Sequence, residues 1–298
     1  MSIAAGYTGR FAPSPTGPLH FGSLLAALAS YLDARARNGR WLIRIEDLDP
    51  PREQPGASDQ ILKTLEHFGL HWDGEVVYQS HRLEHYAEIV QHLLDKKLAY
   101  RCRCSRSELK QRDALYSYDG YCLSTPPDPD AECAIRTRCS DNLLTFEDLI
   151  QGRQSWQHDT GRDDFIIFRR DGLFAYQLAV VVDDHAQGVT SVIRGSDLLD
   201  ETFRQLQLQH HLGYPTPEYG HIPILLNRLG QKLSKQNLAP ALITDQAVKQ
   251  LWEALNLLGQ NPDPSLQSAS STELLDWATT HWQRNCIPRT LAIRSSGS

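Results

Sequence analysis

The chain has 298 residues, 41% hydrophobic and 22% charged, with a formal net charge of −6. That length supports more than one module with its own core, and the composition is that of an ordinary globular protein rather than a disordered one. No apolar run reaches the roughly 18 residues of a membrane span. Met1-Ser2-Ile3-Ala4-Ala5 has neither the basic region nor the apolar core of a secretory signal, so a cytoplasmic protein with no membrane partner is expected.

In chain order, Arg10-Phe11-Ala12 predicts the end of a first strand, cut off by a turn on Pro13 and Pro15. Phe21, Leu24, Leu25, Leu28 and Leu32 then recur at helical spacing, and Asn38-Gly39 ends that helix. Residues 41–45 read as a strand, leaving Glu46 and Asp47 at its carboxyl end, and helices are expected over 58–68 and 82–98. Strand, helix, strand, helix in this order predicts an α/β fold with a parallel sheet covered by helices.

From Tyr100 the character changes. Clustered cysteines, then Ser117-Tyr118-Asp119-Gly120 and Pro126-Pro127-Asp128-Pro129, predict an irregular inserted module. Between Lys96 and Arg112 seven basic residues stand against one acid, Glu108. Such a stretch is either a phosphate-backbone contact or a solvated helix end. Apolar strands return over 165–168, 176–182 and 189–193, followed by helices over 199–212, 247–258 and 272–282. The expected organisation is a catalytic first half (1–99), the insert (100–164), a second half ending in a lysine loop (165–236) and a helical C-terminal region (237–298). Arg10, Glu46, Asp183, Asp184 and Arg194 then fall at or near strand ends, where open α/β sheets bind ligands.

Two motifs 212 residues apart carry chemistry. Pro13-Ser14-Pro15-Thr16-Gly17-Pro18-Leu19-His20-Phe21-Gly22-Ser23 places a histidine at a helix mouth, where free N–H groups favour phosphate. Lys232-Leu233-Ser234-Lys235-Gln236 puts two lysines on a loop led by Gly230, suited to charge that redistributes on phosphate. Together they point to a nucleotide-activating enzyme.

The order and wording of these motifs resemble the class I aminoacyl-tRNA synthetases, and most of all their glutamyl branch, from about Gly9 to Gln236. Ser23, Leu233 and Gln236 depart from the usual motifs, while His20, Gly22, Lys232, Ser234 and Lys235 agree with them. The resemblance implies a Rossmann-type catalytic domain that activates L-glutamate with ATP and Mg²⁺. It assigns His20, Lys232 and Lys235 to catalysis, with His20, Gly22 and Lys235 binding ATP. It assigns Arg10, Phe11, Ala12, Pro13, Ser14, Glu46, Tyr176 and Arg194 to glutamate, leaving the contact of Gln177 open. Asp183 and Asp184 read as supports of the site before a metal-binding pair.

Cys102, Cys104 and Cys122 offer three thiolates, enough for most of a structural zinc site, with free thiols as the alternative. Cys133, Cys139, Asp119 and Tyr118 are candidate fourth ligands, and Cys286 reads as unrelated. The tail beyond Lys235 is 63 residues with four basic and five acidic side chains, so no anticodon-reading domain is expected in it. In this the chain resembles the truncated glutamyl-Q tRNA(Asp) synthetases, a subgroup that attaches glutamate to queuosine in the tRNA(Asp) anticodon. That resemblance favours Tyr118 as the fourth zinc ligand and implies queuosine-containing tRNA(Asp) as partner of a monomer. An ordinary glutamyl-tRNA synthetase acting at the RNA 3′ end and a non-catalytic RNA-binding paralogue are the alternatives.

Overall fold

Short strands buried on both faces need helices over them, and the chain supplies these in alternation. The structure, a computed structural model, describes residues 6–115, 117–139, 143–157, 163–227, 230–232 and 240–294. β1 (Thr8–Phe11), α1 (Phe21–Arg35), β2 (Arg40–Ile45), α2 (Ala57–His67) and β3 (Val77–Tyr78) form the first half. Its strands pair in parallel in the order β1-β2-β3. After α3 (Leu83–Asp95) the insert runs through β4 (Ala99–Cys102), α4 (Arg106–Gln111), α5 (Tyr121–Ser124), β5 (Ala134–Thr137), β6 (Leu143–Asp148), β7 (Gly152–Gln157) and β8 (Ile166–Phe168). The chain re-enters the main sheet through α6 (Tyr176–Ala186), β9 (Ser191–Gly195), α7 (Glu201–Leu212) and β10 (Glu218–Ile222).

β10 pairs in parallel with β9, and Thr190 N–H donates to the Thr8 carbonyl at 2.9 Å, setting β9 beside β1. The spatial order β3-β2-β1-β9-β10 therefore changes direction between β1 and β9. A crevice outside the carboxyl ends of strands at such a point is where these folds bind ligands.

The main core lies around α1. Leu24, Leu25, Leu28 and Leu32 are buried with Trp41, Ile43 and Ile45 of β2, each fully buried leucine being worth about 1.5–3 kcal/mol. The opposite side of α1 meets α8 (Ala247–Leu257) and α9 (Ser271–His281), which follow β11 (Ile224–Leu226). β12 (Ala292–Arg294) then pairs in parallel with β11. Buried Asp33 of α1 fastens this C-terminal region by accepting from Trp282 and Arg284, and it also accepts from the Tyr7 hydroxyl.

Two expectations need correction. Residues 176–182, read as a strand, belong to α6. The run Leu178 to Asp184 is buried throughout, and a helix buried all round lacks the periodicity that separates it from a buried strand. Asp183 and Asp184 accordingly lie in a helix, not at a strand end. The segment read as a strand over 165–168 contributes β8, but β8 pairs with β5, not with the main sheet. The antiparallel sheet β4-β5-β8 and the hairpin β6-β7 give the insert more regular structure than its cysteines, prolines and glycines suggested.

Candidate active site

A cavity of about 430 Å³ opens at the carboxyl ends of β1 and β9 beside the mouth of α1. Arg10, Phe11, Ala12, Pro13 and Ser14 reach it from the end of β1 and the turn that follows. His20 and Gly22 enter from α1, Glu46 from the end of β2, Tyr176 from the first turn of α6, Arg194 from β9, and Lys232 from beyond β11. The two strand ends are tied together where Glu46 N–H donates to the Pro13 carbonyl at 3.0 Å.

His20 caps α1: its Nδ1 accepts from Ser23 N–H at 3.2 Å. In the neutral ring this leaves the proton on Nε2. The first N–H groups of the helix have no intrahelical acceptor by construction and favour an anion. Lys232 Nζ pairs with Asp197 at 2.6 Å beside the cavity. Lys235 lies outside the described residues, but the chain on both sides of it is anchored. Lys232 bridges to Leu226, and Ala241 bridges to His20 itself.

Beneath the cavity is a buried charged network. Arg10 donates to both oxygens of Asp184, at 3.2 and 3.3 Å. Arg44, fully buried, lies 2.7 Å from Asp184 and 3.3 Å from Glu46. Burial pushes the Asp184 carboxyl up, but Arg10 and Arg44 outweigh it and hold the group below the usual carboxylate range. Glu46 goes the other way: burial raises it against the pull of Arg44 and Arg10. Asp183 accepts from Gln79, Arg82 and Tyr86. Both aspartates are therefore spent on protein donors, which makes them supports of the site. Gln177 turns away from the cavity towards Glu201 and Gln205.

Arg194 is held from behind. Its Nε donates to His221 Nε2 at 3.0 Å, and Nη2 donates to Thr202 Oγ1 at 2.8 Å. A guanidinium can only donate, so His221 Nε2 accepts and the ring proton sits on Nδ1, 2.5 Å from Asp148 Oδ2. Burial lowers the His221 pKa despite Asp148, which favours the neutral ring. Arg194 Nη1 is buried and has no hydrogen-bond partner among the described residues. A donor left in that state is costly unless a ligand completes it.

The sequence reading missed Arg44, His221 and Asp148. Arg44 and His221 had a usable signal, since each is a cationic or titratable residue inside an apolar run. Asp148 had none, because its partner lies on another element.

In the insert, the sulfurs of Cys102, Cys104 and Cys122 lie within 4.8 Å of one another. Tyr118 Oη is 3.4 Å from Cys102 Sγ and 3.7 Å from Cys104 Sγ, and it accepts from Cys122 N–H at 2.9 Å. Arg136 Nε approaches Cys102 Sγ at 3.3 Å, and Arg112 Nη2 approaches Cys104 Sγ at 3.2 Å. Burial raises the Cys102 pKa, but its contact with Tyr118 and the hydrogen bond from Arg136 outweigh it and lower it overall. Cys104, raised mainly by burial, stands at about 11. Three soft donors and a phenol around one point fit a tetrahedral divalent ion. Of the other candidate ligands, Asp119 pairs with Arg112, and Cys139 Sγ donates to the Asp163 carbonyl. Cys133 and Cys286 stand outside the group.

A parallel sheet, a crevice at its switch point, a capping histidine and Lys232 on the cavity wall are the layout of a class I synthetase catalytic domain. The family described as tRNA synthetases class I (E and Q), catalytic domain, matches residues 7–257. The chain belongs to that family, and within it to the glutamyl-Q tRNA(Asp) synthetases. It is 54% identical over 289 residues to the glutamyl-Q tRNA(Asp) synthetase of Ectopseudomonas mendocina (strain ymp), covering 96% of this chain and 97% of that one. It is 48% identical over 292 residues to the protein of that name from Escherichia coli (strain K12), covering 98% and 94%. Among solved structures, a glutamate tRNA ligase from Elizabethkingia meningosepticum CCUG26117, in complex with its amino acid, superposes with a TM-score of 0.79 at 25% identity. That match covers 97% of this chain and 67% of the ligase. No helix among the described residues is long and apolar enough to cross a membrane.

Proposed function

We propose that the chain activates L-glutamate with ATP and transfers it to the queuosine base of tRNA(Asp). The observation that carries the glutamate half is Arg194 Nη1, a buried donor without a hydrogen-bond partner among the described residues, on a residue lining the cavity. A carboxylate is the ligand that completes a guanidinium in this state. Arg10, Ser14, Glu46 and Tyr176 line the same cavity and supply a second cation, two hydroxyls and an acid, a set matched to an amino acid with two carboxylates and one ammonium. The names of the relatives support the acceptor.

In the first step a glutamate carboxylate oxygen bonds to the α-phosphorus of ATP, and the bond to pyrophosphate breaks. The attacking group is already an anion, so the protein needs to align the reactants and neutralise phosphate charge. His20 Nε2–H donates to phosphate, and Lys232 leaves Asp197 for the triphosphate, with Lys235 stabilising the departing pyrophosphate. Mg²⁺ suits the triphosphate oxygens and needs few protein ligands. In the second step a hydroxyl of the queuosine cyclopentenediol attacks the activated carbonyl, and AMP leaves. Cys102, Cys104, Cys122 and Tyr118 are the residues that would hold Zn²⁺, whose contribution when bound is folding free energy for the insert. The same reading makes the protein a cytoplasmic monomer.

The test is transfer of labelled glutamate to tRNA(Asp) with and without queuosine. Label is expected only on queuosine-containing RNA, surviving removal of the 3′ adenosine. Label on the 3′ end of tRNA(Glu), with none on queuosine, would establish the ordinary synthetase instead.

A further inference from the structure

A second cavity, about 310 Å³, lies between α4, the end of β7 and the start of α7. It adjoins the active site along one edge of the chain. Asp197 and Leu198 line the first cavity, and Asp200, Phe203 and Arg204 line the second. One wall is aromatic: Trp156, 36% exposed, packs on Phe203 with ring centroids 5.5 Å apart and planes at 39°. Phe203 is itself braced by Phe146 at 5.3 Å.

The charges of the lining balance, with three guanidiniums (Arg106, Arg136, Arg204) and three carboxylates (Asp163, Asp164, Asp200). A phosphate would meet as much repulsion as attraction there. Most of these groups are already engaged. Arg136 donates to the Asp164 carbonyl and to Cys102, Asp164 accepts from Tyr100 and Cys139, and Arg204 pairs with Glu201. Arg106 and Asp200 are exposed, and neither has a hydrogen-bond or ion-pair partner among the described residues. A flat aromatic wall, one uncommitted donor and one uncommitted acceptor match a flat neutral ligand whose edge both accepts and donates.

We propose that this cavity receives an unstacked nucleobase of the acceptor RNA, from a nucleotide neighbouring the one that enters the active site. The proposal rests on the reading of the chain as an RNA-dependent ligase. The base stacks on Trp156, Arg106 donates to its ring nitrogen or carbonyl, and Asp200 accepts from its amino group. Proteins that recognise single-stranded RNA combine stacking and edge contacts in this way, and stacking on one aromatic side chain is worth about 1–3 kcal/mol per base.

The experiment measures binding of a queuosine-containing anticodon stem-loop to the parent, Trp156→Ala, Trp156→Phe and Arg106→Ala. RNA-free ATP–pyrophosphate exchange is followed in parallel to report the folded catalytic domain. Trp156→Ala is expected to weaken RNA binding about ten-fold, Trp156→Phe to restore most of it, and exchange to stay at the parental rate in both. Stem-loops made abasic at one nucleotide flanking queuosine should lose the same factor with the parent and lose nothing further with Trp156→Ala. Binding within two-fold of parent in both Trp156→Ala and Arg106→Ala, or abasic losses that simply add to the variant's, would overturn the pocket. Parental protein that binds the stem-loop through Trp156 but transfers no glutamate to it would remove the functional reading and leave the pocket standing. Transfer by every variant with unchanged binding would do the reverse.

Discussion

Two of the buried clusters of ionisable groups among the described residues differ in whether the protein alone balances them. Beneath the active site, Arg10, Arg44, Asp183, Asp184 and Glu46 pair among themselves, so charge is fixed before any ligand arrives. Among the described residues the buried donors left without a hydrogen bond there are Arg44 Nε, inside the network, and Arg194 Nη1, on a residue that lines the cavity. In the insert, three thiols and a phenol converge with two guanidiniums at their edge. Ionising all four donors there would leave negative charge in excess of the arginines, which is the charge a divalent cation would offset. The first region is preorganised for a small anionic ligand. The second, on the reading proposed above, is a fastening that a metal ion completes.

The sharpest way to break this comparison is to attack the fastening. Protein purified without added metal is expected to carry about one zinc per chain, and Cys122→Ala to carry none. Structural zinc contributes on the order of 10 kcal/mol in small modules, so the insert of that variant should become protease-sensitive and RNA transfer should fail. RNA-free exchange should fall much less, because the cavity lies on the main sheet. Elemental analysis and limited proteolysis check this, and metal-free parent with all three thiols freely titratable would refute it. Loss of zinc in Cys122→Ala but not in Tyr118→Phe would keep the site and remove only its fourth ligand.

Lys235→Ala should reduce glutamate-dependent exchange by about 10²–10³ with little change in glutamate affinity, as for removal of one transition-state donor. A variant exchanging at the parental rate would show the loop to be non-catalytic. Arg194→Ala acts on the preorganised region and should chiefly raise the glutamate KM. Truncating one partner of a buried charged contact costs about 2–5 kcal/mol, so a rise of about 10² is expected, with relaxed discrimination against glutamine. Steady-state exchange kinetics with both amino acids decide it. Unchanged selectivity would mean that Arg194 does not face the side chain.

The contrast between the regions also explains what could be read in advance. Residues near each other in sequence carry the His20 motif and the Cys-x-Cys cluster, so both were legible. The residues lining the cavity from β1, β2 and β9 were legible because strand ends converge once a parallel sheet is assumed. Of the charged floor, Arg10, Glu46, Asp183 and Asp184 were legible but Arg44 was not, because Arg44–Asp184 spans 140 residues; the support behind Arg194 was missed likewise, His221–Asp148 spanning 73. α6 was misread for a related reason. A segment buried on every side carries no amphipathic pattern, and Val180-Val181-Val182 favours a strand by intrinsic preference alone.

The smallest effect expected is also the most specific, and it concerns the support behind Arg194. Asp148 belongs to the insert's hairpin and His221 to the main sheet, so the two aim a residue of the cavity from outside it. A hydrogen bond to a charged group is worth about 1.5–3 kcal/mol. His221→Gln, which cannot hold both contacts, should therefore raise the glutamate KM about ten-fold and leave kcat nearly unchanged. A merely structural histidine would lower active protein without moving KM. The pH dependence separates the cases further. His221 has a lowered pKa in the fold, so the unfolded chain takes up its proton first, near the ordinary value of about 6.5, and stability falls as pH drops below it. Asp148, held below its usual range overall by His221 against the effect of burial, adds a loss only below about pH 4, where its unfolded carboxyl protonates. Between pH 7 and 5 the parent should lose stability through His221 and through His211, whose pKa burial lowers to about 4, and His221→Gln should lose less because only the His211 part remains. Nitrogen NMR of the parent should place the imidazole proton on Nδ1. A proton on Nε2, or a variant with the parental KM, would show that Arg194 is positioned by Thr202 and the Leu198 carbonyl without the histidine.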